Sequence, residues 1–181
     1  MVTIVSAQIP ESDTVLQVQY GSVTFKTGEK LRLSDITSAP SIGLSAPALT
    51  GTYIVIMIDP DAPDPTLPIF TQVLHWVQQD LIFSPMAGKY NTFVPLITPS
   101  PAPAAAPYLP PMPPPLLAPH RYIQTLFRQP AEFSINDLDL YLADSILRFG
   151  FNLSRFAQEN MLGEPIASNF FLAGDETIQI R

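Results

Sequence analysis

The most constraining feature of this 181-residue sequence is an unbroken apolar run, Tyr53-Ile54-Val55-Ile56-Met57-Ile58, that ends in Asp59-Pro60-Asp61-Ala62-Pro63-Asp64-Pro65. Six successive apolar residues without polar alternation are the pattern of a strand buried on both faces. The prolines cannot donate to a strand ladder, so they end the strand and hold the acids on a rigid loop. This run is the central strand around which the rest of the chain is arranged.

Other segments supply partners for it. Val15, Leu16, Val18 and Tyr20, then Val23 and Phe25, are β-formers in near-alternation around the turn dipeptide Gly21-Ser22, which predicts a hairpin. A polar connection containing Pro40 and Pro47 follows, and the strand after the acidic loop contains residues 73–77. Residues 99–119 are dominated by Pro, Ala and Leu, a composition that favours extended polyproline-like backbone. Such a stretch reads either as a flexible linker or as a long loop inserted in one domain. The second is preferred, because the segments it divides are each too small to fold alone.

Residues 121–127 form another β-type run, and Ser134-Ile135-Asn136-Asp137 is an N-cap pattern ahead of Leu138, Tyr141, Leu142 and Ile146 at helical spacing. Ser154 is placed to cap a second short helix through Met161, with Gly163 as its stop, before a β-prone segment at 166–172. The prediction is one mainly β domain over residues 8–181 with short helices and no internal repeat.

Composition narrows the function classes. With 46% apolar and 14% charged residues the chain has the makeup of a compact globular protein, and a domain of this size buries roughly 70% of its extended surface. A formal charge of −7, with no cluster of Lys and Arg to reverse it locally, argues against nucleic acid and anionic membrane surfaces as partners. Cysteine is absent, so disulfides and thiolate chemistry contribute nothing. Residues 90–120 carry no Asp, Glu, Lys or Arg and are long enough to span a bilayer, but their prolines forbid a transmembrane helix.

Val5-Ser6-Ala7 has the small-residue pattern of a signal-peptidase site, so residues 1–7 are expected to be a secretory-signal remnant; an ordinary N-terminus of a cytoplasmic protein is the alternative. The sequon Asn152-Leu153-Ser154 is consistent with secretion.

The residues able to carry chemistry are few. Proline holds Asp59 and Asp61 in fixed directions, suited to orienting or accepting protons, although aspartates in turns also serve simply to bind loop amides. The two histidines are His75, beside Trp76 in a strand-like segment, and His120, ahead of Arg121 and Tyr122. A histidine in such a place is either a hydrogen-bonded structural residue or a site residue. Two His and an Asp lack the short spacing of a metal site, and no cofactor is implied. P-loop, GxSxG and HExxH motifs are all missing.

Taken in order, residues 53–63, Leu74-His75-Trp76 and His120-Arg121-Tyr122 resemble the three signatures of the phosphatidylethanolamine-binding proteins, and the flanks extend the resemblance over roughly residues 14–173. The resemblance implies a large antiparallel sheet packed with a smaller one, short peripheral helices, and one pocket at the edge. It also implies that Asp59, His75 and His120 line that pocket as candidate catalytic residues. Asp61, Pro63, Trp76, Tyr108, Arg121 and Tyr122 are expected to contact the ligand, with Arg121 also buttressing Asp61. Relatives take small anions there, including phosphate of phospholipid headgroups, and serve as kinase-pathway regulators, protease inhibitors or flowering signals.

Departures from the family pattern shift the expected ligand. Ala118-Pro119 stands where relatives have a glycine before the His-Arg pair, Asp64 where they often carry Ser, and basic residues are missing from 64–72. Without glycine's backbone freedom an anion-cradling nest is harder to form. The C-terminal helix that covers the site in animal relatives is not expected, and Leu96 to Ala118 replace a short loop with an apolar wall of Tyr108, Leu109, Met112, Leu116 and Leu117 among prolines.

The style resembles a filamentous-fungal branch, some members of which assist dimerisation of alkylated maleic anhydrides in secondary metabolism. The expectation is an enzyme or helper of that kind, working by general-base deprotonation or decarboxylation on an anionic or anhydride ligand with an apolar chain. A noncatalytic binder of anions or phospholipid headgroups, acting as a protease or kinase regulator, is the alternative, and a structural protein with a vestigial pocket the third reading. No protein partner is identified.

Overall fold

Eight strands form among the residues that the computed structural model describes, which are 9–45, 50–66, 72–84, 93–99, 103–133 and 148–174. They are β1 (Gln17–Tyr20), β2 (Val23–Thr24), β3 (Ser41–Leu44), β4 (Tyr53–Asp59), β5 (Val73–Phe83), β6 (Val94–Ile97), β7 (His120–Arg128) and β8 (Ala167–Ala173), with a short helix α1 (Leu153–Glu159) before the last strand. The order across the sheet is β2-β1-β3-β6-β5-β4-β7-β8, with antiparallel pairing between neighbours. The fold is mainly β and antiparallel, as the sequence predicts.

The two halves of the sheet join through β5, whose 11 residues suffice to pair with β4 over Val73 to Leu81 and with β6 at Ile82 and Phe83. The sheet then curls until its last strand meets the chain flanking the first hairpin. Leu16 N–H donates to the Ser168 carbonyl and Leu31 N–H to the Leu172 carbonyl, both at 2.9 Å.

Strand β4 sits as its composition requires. Tyr53, Val55 and Met57 point into the curl, and Ile54, Ile56 and Ile58 point to a second core closed by Leu153, Phe156 and Ala157 of α1. All six are fully buried. Each such side chain contributes roughly 1.5–3 kcal/mol through the apolar surface it removes from water.

The hairpin forms at Gly21-Ser22, where Gly21 has φ +58°, the left-handed value that a two-residue turn of this kind needs at its first position. Strands β3 and β6 are additions to the sequence reading, which treated one as polar connection and the end of the other, from Leu96, as loop. They form because Ile42 and Leu44, with Val94 and Leu96, fill the inside of the curl. Gly43 lets them approach: a Cβ there would come within 2.5 Å of the Val94 carbonyl oxygen.

Helix α1 starts two residues earlier than expected. Its cap is Asn152, whose side chain accepts the Arg155 N–H at 2.9 Å, and Ser154 lies inside the first turn. Its stop is Met161 at φ +52°, with Met161 N–H bonded to the Gln158 carbonyl and Leu162 N–H to the Ala157 carbonyl, a Schellman arrangement that precedes Gly163. The helix expected at Leu138 to Ile146 lies outside the described residues, as do residues 1–7. No helix among the described residues is long and apolar enough to cross a membrane.

The proline-rich segment packs along β5 where β6 no longer covers it. Gln79 binds the Pro103 carbonyl and the Ala105 N–H, Val77 and Ala106 exchange backbone bonds, and Leu109 N–H donates to the His75 carbonyl at 2.7 Å. Covering that edge satisfies backbone groups that would otherwise face solvent.

Candidate functional site

The last residue of β4, Asp59, faces the first residue of β7, His120, across the end of the sheet. His120 Nδ1 lies 2.8 Å from Asp59 Oδ2, with both side chains buried. The other carboxylate oxygen accepts the Asp61 N–H at 2.8 Å, so Asp59 fixes the loop and orients the histidine at once. Asp61 in turn takes the Arg121 N–H at 2.7 Å and a two-pronged grip from its guanidinium, Nε at 3.0 Å and Nη2 at 2.7 Å. Arg121 therefore buttresses the loop, as expected, and the Asp61 carboxylate holds its guanidinium above its usual value.

His75 reaches the same place by a different device. Met57 pairs with Trp76 and Ile58 with Leu74, leaving His75 as the extra residue of a bulge in β5. Its carbonyl, freed from β4, accepts from Leu109 N–H at 2.7 Å and from Arg148 Nη1 at 3.1 Å. Its Nδ1 stands 2.7 Å from the Leu109 carbonyl oxygen, and its ring meets Tyr122 edge-on at 5.1 Å. Arg148 also donates to the Pro107 carbonyl at 2.8 Å, clamping the proline-rich segment to the strand.

These residues enclose a cavity of about 290 Å³. Asp59, His75, His120, Pro63 and Tyr122 line it, together with Ala62, Val73, Leu109, Pro110, Met112, Pro114 and Phe149. Among the described residues the lining is apolar apart from the two histidines, Asp59 and Tyr122.

Four expected ligand contacts are outside this lining: Asp61 and Arg121, which hold each other, and Trp76 and Tyr108. Trp76 points to the inside of the curl beside its pairing partner Met57, because the bulge puts it on the face opposite to that of Leu74, and Tyr108 packs against it at 6.2 Å. The Tyr108 hydroxyl is committed to the Ile36 carbonyl at 2.9 Å, and burial pushes its pKa up to about 12. Of the apolar wall, Leu109 and Met112 line the cavity while Leu116 projects into solvent, 75% exposed. Phe149, Val73 and the clamp residue Arg148 were not legible in the sequence, since nothing in their local context marks them.

Electrostatics divide the two histidines. Burial holds His75 below its ordinary value, assisted by Arg148 and His120 and opposed by the Leu109 carbonyl and Asp59. For His120, desolvation works in the same direction, but the Asp59 hydrogen bond and the charges of Asp59, Asp61 and Asp64 outweigh it and hold the ring above the ordinary value. Burial, then the Asp59 charge, keeps the Tyr122 phenol neutral. His120 Nε2 is buried with no hydrogen-bond partner among the described residues. Nor do those residues contain a group of three or more side chains placed to hold a metal ion.

Comparison with known proteins gives a consistent picture. Residues 13–171 match the family model described as phosphatidylethanolamine-binding protein. Phomoidride biosynthesis cluster protein N of Talaromyces stipitatus is 32% identical, with 90% of this chain and 85% of that protein covered. CEN-like protein 4 of Nicotiana tabacum is 29% identical over 83% of this chain and 74% of its own length. Among solved structures, carboxypeptidase Y inhibitor in complex with its cognate proteinase superposes with a TM-score of 0.68 at 25% identity, covering 90% of this chain and 84% of that one.

Proposed function

The chain belongs to the phosphatidylethanolamine-binding protein family, and we propose that it acts in secondary metabolism, binding an alkylated maleic anhydride or its carboxylate and promoting its dimerisation. The observation that carries this reading is the unpartnered Nε2 of His120, backed by Asp59, beside a second histidine in an otherwise apolar cavity. A buried polar atom without a partner is costly, and a ligand oxygen is a fitting one.

Size and, for the neutral anhydride, charge favour this ligand over a phosphate headgroup. A cavity of about 290 Å³ has the volume of about ten water molecules, enough for one small ring and not for two monomers. An alkyl chain has an apolar exit past Met112 and Phe149, which are 74% and 47% exposed. Among the described residues no Lys or Arg lines the cavity, and Arg121 is spent on Asp61. A phosphate dianion would find His120 already paired with Asp59 and Arg121 already paired with Asp61, with Asp64 nearby. The name of the Talaromyces relative, a biosynthesis cluster protein, adds support from outside the site.

General-base assistance is worth ~10²–10⁴ in rate, and holding the monomer in place contributes further through proximity. The test is to incubate the purified protein with synthetic alkylated maleic anhydride monomers and follow dimer formation. A faster, histidine-dependent rate is expected. Equal rates with and without protein sink the catalytic reading, and tight binding at an unchanged rate would leave a noncatalytic carrier.

A further inference from the structure

Building on the proposed reaction, we infer that the two histidines divide the proton work: His75 Nε2 removes a proton from a carbon conjugated to the ligand's carbonyl, while His120 Nε2–H holds the carbonyl oxygen.

The hydrogen bonds at the far side of each ring set these roles. A carbonyl oxygen only accepts, so the Leu109 oxygen at 2.7 Å fixes a proton on His75 Nδ1 and leaves Nε2 as a lone pair in the neutral ring. The Asp59 carboxylate at 2.8 Å likewise fixes a proton on His120 Nδ1, but it also favours a second proton at Nε2. Burial outweighs the pull of Asp59 on His75 and disfavours a second proton there. Arg148, bonded to the His75 carbonyl, disfavours a second charge on that ring, whereas Asp61 and Asp64 add to Asp59 around His120. Tyr122 touches His75 edge-on and is neutral. Two titratable groups whose surroundings push them apart form an acid–base pair.

The step balances without another reactant. The ligand's C–H bond breaks, its proton goes to His75 Nε2, and its electron pair enters the conjugated system and reaches the carbonyl oxygen, where the His120 N–H donates. The ligand class is thus a conjugated carbonyl compound with an acidic C–H and an apolar substituent.

The experiment has two arms. Imidazole nitrogen NMR of the full chain near neutral pH is expected to show His75 neutral with its proton on Nδ1 and His120 as imidazolium. In deuterium oxide, dimethylmaleic anhydride is expected to exchange its methyl protons faster with the protein than without it. His75→Gln should lower that protein-dependent exchange by ~10²–10⁴ while keeping affinity for dimethylmaleate within about threefold. His120→Gln should weaken that affinity roughly 10–100-fold, the range for a hydrogen bond to a charged group. Reversed protonation states, reversed variant effects, or dimer formation without exchange in the wild type overturn the assignment. Exchange and protonation states as expected, but no dimer, would support it and sink the proposed function instead.

Discussion

At the scale of single residues, the site makes a statement about stability as well as chemistry. The chain has two histidines and no cysteine, so its stability between about pH 5.5 and 8 is governed mainly by His75 and His120. His120 is raised in the fold above the ordinary 6.5, so its contribution is complete below pH 6.5 and is lost as pH climbs through the folded value. His75 is lowered, so its contribution is complete above 6.5 and is lost as pH falls through the folded value. The wild type should therefore show a stability maximum near pH 6.5 in denaturant midpoints. His75→Gln should remove the decline on the acid side and His120→Gln the decline on the alkaline side. A flat wild-type profile would contradict both environments.

The elements show where local sequence decides and where it does not. Met161 ends α1 in the left-handed region, which costs a side-chain-bearing residue roughly 1–2 kcal/mol, while its own side chain is 71% exposed. Met161→Gly relieves that strain but adds freedom to the unfolded chain, so a net gain of about 0.5–1 kcal/mol is expected. Thermal scans should register it as a rise of ~1–4 °C.

Gln79, 5% exposed, clips the proline-rich segment through two side-chain bonds. Gln79→Ala leaves the Ala105 N–H and Pro103 carbonyl unpaired and should cost about 2–4 kcal/mol. Amide exchange at Ala105 and Ala106 should accelerate more than at Ile56 in β4, and uniform acceleration would mean the clip is not local.

These elements also explain what was readable in advance. Residues 53–58 announce β4 because a strand covered on both faces leaves no alternation, and Gly21-Ser22 announces its turn through glycine's backbone. Strands β3 and β6 carry only two inward apolar residues each, so their pairing is decided by neighbours. Asn152 and Ser154 are equally good caps, and the choice falls to Asn152 because Leu153, fully buried, must open the helix facing the core. Bringing Asp59 and His120 together followed from family motifs. The bulge that inserts His75 between Leu74 and Trp76 did not, since register belongs to a pair of strands rather than to either one.

For the molecule as a whole, charge and site act at different ranges. An anionic ligand approaching from a distance meets a net charge of −7, with Asp64 near His120 and Asp61 paired to Arg121, while the attraction of His120 operates only at contact. The Debye length is about 30 Å at 0.01 M salt and about 8 Å at 0.15 M, so added salt screens the long-range repulsion and spares the buried contact. Association of dimethylmaleate should accordingly speed up between these two salt concentrations, with its dissociation rate nearly unchanged. Stopped-flow mixing at both salts reads the two rates separately. Slower association at the higher salt would mean that the ligand is steered by a local positive field, which the arrangement of Asp59, Asp61 and Asp64 around one imidazolium does not provide.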